Sequence, residues 1–300
     1  VADAWISDGT AIPPGQGAEM EFNVKFWGVR GTFPCPSPSH LAYGGNTSCL
    51  EVRVGGKVLV LDAGTGLRSL GKRFLKDGVR DATLLLTHAH WDHINGFPFF
   101  EPGYRPDFRL RIMARDLKGC DCIGQVLSTC MESPLFPVPL TTMRAEMSFE
   151  NLHTGDQLDL APGVTVKTAS LNHPGGAVGY RIEHGGKAFC YVTDTEHIPG
   201  QRDENILALI EGADLVVYDA SYTEEEFATR RGWGHSTWNE GVALAKEAGA
   251  KQLCLFHHDP DHDDAFMAGL EREARREFAG TFAAREGTTL NMLDLAAEAA

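Results

Sequence analysis

Apolar positions in this chain come in short runs, and most of those runs stop at a polar side chain. Alternation over 22–27 predicts a strand, and the Gly-, Pro- and Ser-rich stretch 28–45 predicts a long loop. The runs 46–54 and 57–61 predict a hairpin across Gly55-Gly56, leading into Asp62-Ala63-Gly64-Thr65-Gly66. Helical spacing over 67–75 is followed by Leu84-Leu85-Leu86, too short for a helix and so read as a buried strand. Past it come a strand at 109–114, a helix at 120–129, and 133–142, where recurring prolines forbid a regular element. Short strands across 146–171 are separated by Gly155-Asp156 and Pro162-Gly163, and 179–183 pairs with 187–193 around Gly185-Gly186. Helices at 203–211, from Ser236 or Thr237 to about 248, and at 261–278 alternate with strands at 214–219, 252–256 and 289–293.

The leucine strand runs into Thr87-His88-Ala89-His90-Trp91-Asp92-His93, with three histidines and an aspartate within six positions. A strand end holds side chains rigidly and leaves them open to a ligand, and imidazole with carboxylate suits zinc, manganese or iron. One histidine in such a place would be an ordinary hydrogen-bonded residue. Four such groups are hard to explain by packing, because each polar group buried without a partner costs about 1–3 kcal/mol. The pattern returns at His173 after 164–171, at Asp194 after 187–193 and at His257 after 252–256. His258 competes with His257; the strand is followed first by His257, which leaves His258 beside the site with Asp259 or Asp263.

The run 87–93 resembles the His-x-His-x-Asp-His signature of the metallo-β-lactamase superfamily, and the later motifs follow in that family's order from about 22 to 295. The resemblance implies an α/β fold, a four-layer αββα sandwich, as a single domain over 21–296. It also implies two divalent metal ions, zinc first with manganese or iron as alternatives. His88, His90 and His173 would hold one ion, Asp92, His93 and His257 the other, and Asp194 would bridge them. Such a pair polarises a substrate and activates water, while Asp92 both binds metal and orients the attacking water. Gly234-His235-Ser236-Thr237 is similar to the ribonuclease Z branch, where a histidine that binds no metal gives a proton to the leaving oxygen and a carboxylate holds that histidine. Asp219 stands here where the branch has a glutamate. Otherwise His235 is a helix-start residue bonded to backbone. Asp62 matches the family's aspartate behind the His turn, or simply starts a turn before glycine. Segment 133–142 falls where the superfamily covers its active site, and is a candidate substrate wall; Phe97, Phe99 and Phe100 are core or pocket lining.

A dinuclear metal-dependent hydrolase follows, first of all a phosphodiesterase acting on a cyclic nucleotide or other small phosphodiester, since a protonated imidazole helps expel a basic alkoxide. The alternatives are a carboxylic-ester, lactone or thioester hydrolase, and a nucleotide-binding regulatory protein. A net charge of −14 over 300 residues disfavours an extended nucleic-acid surface and leaves a small-molecule substrate compatible. Arg30, on the first long loop, is the arginine expected to touch substrate. No apolar run approaches the ~18 residues of a membrane span. Seven scattered cysteines point to reduced thiols in a cytoplasm; Cys120-Asp121-Cys122 with Cys130 reads as a soft metal site or as ordinary thiols. Residues 1–20 lack a secretory start and read as a loose leader. Trp5 and Ile6 could dock it on the body or on a neighbouring chain, which keeps a homodimer compatible.

Overall fold

The structure, a computed structural model, describes residues 20–115 and 122–295. The leader with Trp5 and Ile6, and Cys120 with Asp121, lie outside those residues. Six strands form in the first part of the chain: β1 (Phe22–Gly28), β2 (Cys49–Val54), β3 (Lys57–Leu61), β4 (Asp81–Leu86), β5 (Arg109–Arg115) and β6 (Glu146–Leu152). Seven follow: β7 (Gln157–Ala161), β8 (Val164–Leu171), β9 (Ala177–His184), β10 (Lys187–Val192), β11 (Leu215–Asp219), β12 (Leu253–Phe256) and β13 (Thr281–Ala283). The last strand, β14 (Thr289–Asn291), returns to the first sheet, whose order is β14-β1-β2-β3-β4-β5-β6, facing a second of order β13-β12-β11-β10-β9-β8-β7.

Both sheets follow one plan. Sequence neighbours pair antiparallel at one side, as β1 to β3 and β7 to β10 do, β14 adds to β1 antiparallel, and the rest pair parallel through crossover segments. Strand alternation then decides the layers. Leu85 points between the sheets with Phe26, Leu61, Tyr191 and Phe256, whereas Leu84 and Leu86 point outward. A strand buried on both faces reads as a continuous apolar run, and the leucine triplet does so for this reason.

The outer face of the first sheet is covered by α1 (Leu67–Asp77) and, past the short α2 (Trp91–Ile94), by α3 (Ile123–Cys130). The second sheet is covered by α4 (Glu204–Ile210), α6 (Trp238–Glu247) and α7 (Asp264–Glu277), with the short α5 (Glu224–Thr229) between α4 and α6. The result is the expected four-layer αββα sandwich. Caps set the helix starts: Asp203 accepts from Ile206 N–H, Asp263 from Phe266 N–H and Thr237 from Glu240 N–H, so Thr237, not Ser236, caps α6. Sequence periodicity missed α5, six residues begun by a Thr223/Glu226 capping box and too short to show a repeat. Phe97 and Phe100 are core behind α1, while exposed Phe99 meets Phe136 of the proline-rich segment edge-on at 5.6 Å.

Candidate active site

Every parallel pairing leaves the strand ends on one edge of its sheet, and the carboxyl ends of β3, β4, β10, β11 and β12 share that edge of the sandwich. Ligands of open α/β sheets commonly settle there, because loops diverge at that edge. Three residues just beyond strands, Asp62 and His257 in the first position and Asp194 in the second, have φ of +60°, +59° and +59° in the order Asp62, His257, Asp194. This left-handed turn is uncommon for residues with a Cβ and breaks the strand's alternation, redirecting each side chain. The second sheet is tied to the first here by Tyr180 O–H, which donates to Leu86 O at 2.6 Å, and by Val178 N–H, which donates to Thr87 O at 3.0 Å.

The seven residues expected as metal donors meet in one cluster. His88, His90, His173 and Asp194 form one set and Asp92, His93, His257 and Asp194 a second, with the donor atoms of each set within 4.8 Å of one another. Asp194 Oδ2 faces His88 Nε2 at 3.6 Å and His173 Nε2 at 3.8 Å, and its Oδ1 faces His93 Nε2 at 3.1 Å and His257 Nε2 at 3.2 Å. One carboxylate therefore serves both sets. In the second set Asp92 Oδ2 lies 3.3 Å from both His93 Nε2 and His257 Nε2. Tetrahedral bonds of about 2.0–2.1 Å would separate donors by about 3.3 Å, so this spacing fits a divalent ion such as zinc. The first set is looser, although His90 Nδ1 and His173 Nε2 are 2.9 Å apart.

The far sides of four of the five rings support the same reading. His93 Nδ1 is bonded to Asp62 Oδ2 at 2.8 Å, His173 Nδ1 to Gly234 O at 2.7 Å, His257 Nδ1 to Ser221 Oγ at 3.0 Å and His88 Nδ1 to Thr87 Oγ1 at 3.1 Å. Each contact turns Nε2 toward the centre, as partners of metal-binding histidines do. His88 Nε2 is buried with no hydrogen-bond partner, an orphan that a cation would satisfy. Burial, with His93 beside it, pushes His88 well below its ordinary value and so keeps a lone pair available. Burial opposes charge on Asp194, but His257, His93 and His88 hold it ionised, well below the usual carboxylate range.

Asp219 and His235 stand at the margin of this cluster. His235 Nδ1 is 2.9 Å from Asp219 Oδ2 and 3.9 Å from Asp194 Oδ2, and its ring stacks on His257 with centroids 4.7 Å apart. The shorter aspartate reaches because it is the last residue of β11 and wholly buried, with Ser221 N–H and Oγ–H donating to its other oxygen. Burial disfavours the imidazolium, yet Asp219, by charge and hydrogen bond, and then Asp194 outweigh it and hold His235 at about 9.

Two expectations fail. Arg30 is 0 % exposed and donates to the carbonyls of Gly44, Asp259 and His262 at 2.8, 3.1 and 2.6 Å; it braces the His257 loop from behind and cannot touch substrate. His258 bonds neither Asp259 nor Asp263: its Nε2 pairs with Ala284 O at 2.9 Å and its ring packs edge-on to Tyr43. Cys122 and Cys130 enter no donor group among the described residues. Sequence reasoning passed over Thr32, whose N–H donates to Asp92 Oδ2 at 2.8 Å, and Ser221, whose only signal was its place in Asp219-Ala220-Ser221-Tyr222.

Two donor sets sharing a carboxylate at the mouth of an αββα sandwich form a candidate dinuclear metal centre. The family model described as "Beta-lactamase superfamily domain" matches residues 57–258, more than half of the chain, and the chain belongs to that superfamily. It is 33% identical over 106 residues to a protein named ribonuclease Z from Porphyromonas gingivalis, a match covering 35% of this chain and 33% of that one. The chain thus spans about a third of the length of that relative. A ribonuclease Z from Halorubrum lacusprofundi is 26% identical over 312 residues, covering 87% of this chain and 94% of the other. Among solved structures, the metallo-beta-lactamase fold protein YhfI from Bacillus subtilis superposes with a TM-score of 0.68 at 21% identity, covering 90% of this chain and 98% of that one. Among the described residues no helix is long and apolar enough to cross a membrane.

Proposed function

We propose that the protein is a dinuclear phosphodiesterase acting on a cyclic nucleotide or another small phosphodiester. The reading rests on the Asp219–His235 pair, set 3.9 Å from the shared Asp194 carboxylate. His88, His90 and His173 would hold one ion, Asp92, His93 and His257 the other, and Asp194 both. Bound there, two divalent ions, zinc by donor chemistry, would polarise the phosphodiester and make water nucleophilic near neutral pH.

The remaining work falls to side chains. Thr32 N–H fixes one oxygen of Asp92, which leaves the other to orient the attacking water. As the water oxygen bonds to phosphorus, the bond to the leaving oxygen breaks, and His235 gives that oxygen a proton. Asp219 holds the ring by Nδ1, so the proton is given from Nε2, and the carboxylate steadies the imidazolium beforehand. An ester or thioester with a good leaving group needs this acid less.

A second reading, cleavage of a phosphodiester within RNA, is favoured by the relatives named ribonuclease Z and opposed by the net charge of −14. We place the protein in the cytoplasm, since the described cysteines are free thiols. The test is a panel of bis(p-nitrophenyl) phosphate, cyclic nucleotides, a structured RNA, lactones and thioesters, run on protein reconstituted separately with zinc, manganese and iron. Turnover of lactones or thioesters alone overturns the proposal; tight nucleotide binding without turnover would make the protein a nucleotide sensor instead.

A further inference from the structure

The loop that carries Asp194 runs on to Glu196, a half-buried residue to which the chemistry above gives no task. Both of its carboxylate oxygens accept from Gly232 N–H at 2.8 Å, and Oε2 also accepts from Gly234 N–H at 2.7 Å. Its backbone is tied to the His173 loop: Glu196 N–H donates to Asn172 O at 2.7 Å, and Asn172 Nδ2 donates to Glu196 O at 2.7 Å. The turn at 232–234 needs two glycines at positive φ, +86° and +89°, a shape in which N–H groups converge on one anion. Its exit carbonyl, Gly234 O, bonds His173 Nδ1 at 2.7 Å, and the next residue is His235. The turn and ring are in close contact, since a Cβ on Gly234 would lie 2.2 Å from His173 Nδ1. One residue of the loop after β10 thus ties the loop after β8, through its backbone, to the turn before α6, through its carboxylate.

Building on the function proposed above, we infer that Glu196 is a positioning residue that couples the first ion site to the proton donor. By holding the turn at 232–234, it keeps Gly234 O on His173 Nδ1, which leaves Nε2 free for the ion, and it sets where His235 begins. Without the carboxylate the turn loses its anion, Gly234 O moves, and His173 can carry its proton on either nitrogen. Two defects then appear together. Affinity for the ion held by His88, His90 and His173 falls about tenfold to a hundredfold, the scale seen when the partner of a metal-binding histidine is lost, while the other ion is little changed. Hydrolysis also slows more for poor leaving groups than for good ones, because His235 no longer meets the leaving oxygen.

The experiment uses full-length Glu196→Ala and Glu196→Gln, titrated with zinc against a chromogenic chelator to give two stepwise affinities. Turnover is then compared across phosphodiesters whose leaving groups range from nitrophenol to ethanol, with melting curves for each variant. The expected result is one weakened zinc affinity and a steeper leaving-group dependence in the Ala variant, both partly recovered in Gln, which keeps one acceptor oxygen at the same reach. Two zinc affinities within twofold of wild type overturn the inference. So does equal loss of both ions with a collapsed melting transition in both variants, the mark of a merely structural tie. If wild type hydrolyses no phosphodiester, the proposed function falls, while the zinc titration still decides the role of Glu196.

Discussion

Replacing Asp62 by asparagine keeps the shape of a wholly buried side chain and changes only what one of its atoms can do. Asp62 Oδ1 accepts from Thr87 N–H at 2.8 Å, and Oδ2 accepts from His93 Nδ1–H at 2.8 Å and from Tyr191 O–H at 2.9 Å. An amide that keeps its oxygen on Thr87 must present its NH2 group to His93 and Tyr191. The tyrosine hydroxyl can rotate, but His93 can accept only by moving its proton to Nε2. That nitrogen then has no lone pair for a cation, although it still faces Asp194 Oδ1 at 3.1 Å. The second donor set should therefore lose about tenfold to a hundredfold in metal affinity, with the first set spared. If His93 does not switch, a buried donor is left facing a donor at about 1–3 kcal/mol, and at ~2–4 °C per kcal/mol the metal-free protein melts several degrees lower. Asp62→Ala unpairs four donors, Thr87 N–H and Oγ1–H, His93 Nδ1–H and Tyr191 O–H, and should melt lower still. Zinc titration and calorimetry of metal-free protein read both effects. An Asp62→Asn protein with two wild-type zinc affinities and an unchanged melting temperature would refute the reasoning.

Three further outcomes are expected. His235→Ala should keep its metal yet lose about 10²–10⁴-fold in turnover of phosphodiesters with poor leaving groups, the range for a lost general acid; unchanged activity removes that role. Asp194→Ala should bind fewer than two ions per chain by elemental analysis, and wild-type metal content would show that no shared carboxylate is needed. Glu271 tests an ion network remote from the donor sets: burial opposes its charge, but bonds from Arg285 at 2.7 Å and Tyr43 at 2.8 Å hold it below the ordinary glutamate range. A lowered carboxylate stabilises when ionised, so its contribution is whole above about pH 4.3 and is lost as the pH falls through the lower folded value. Metal-free wild type should melt above Glu271→Gln at pH 7, with the gap closing in acid; a gap independent of pH refutes this.

Local pattern carried much of the architecture. Leu84 to Leu86 was legible as a strand because both faces are covered, and α4 and α7 because Asp203 and Asp263 sit just before apolar periodicity. Elements without a period, such as α5, were not legible. The choice between His257 and His258 shows where the pattern reaches its limit. Adjacent residues beyond a strand would ordinarily point to opposite faces, but which face is the cleft depends on a φ of +59° at His257, whose ring is held by Ser221 Oγ, from another loop, accepting from Nδ1–H.

By itself the chain determined which donors exist and that they lie at strand ends, since the run 87–93 is local and the lone residues after β8, β10 and β12 each close an apolar stretch. Only the tertiary structure decided what each donor faces. Arg30 looked available in its loop and is sealed by three carbonyls; Asp219 looked short and reaches His235; Glu196, which no motif singled out, ties three loops together. The physical reason is that a side chain's hydrogen-bonding type is written in its own residue, whereas its partners come from segments far along the chain. Those segments meet only when the two sheets close over their common core.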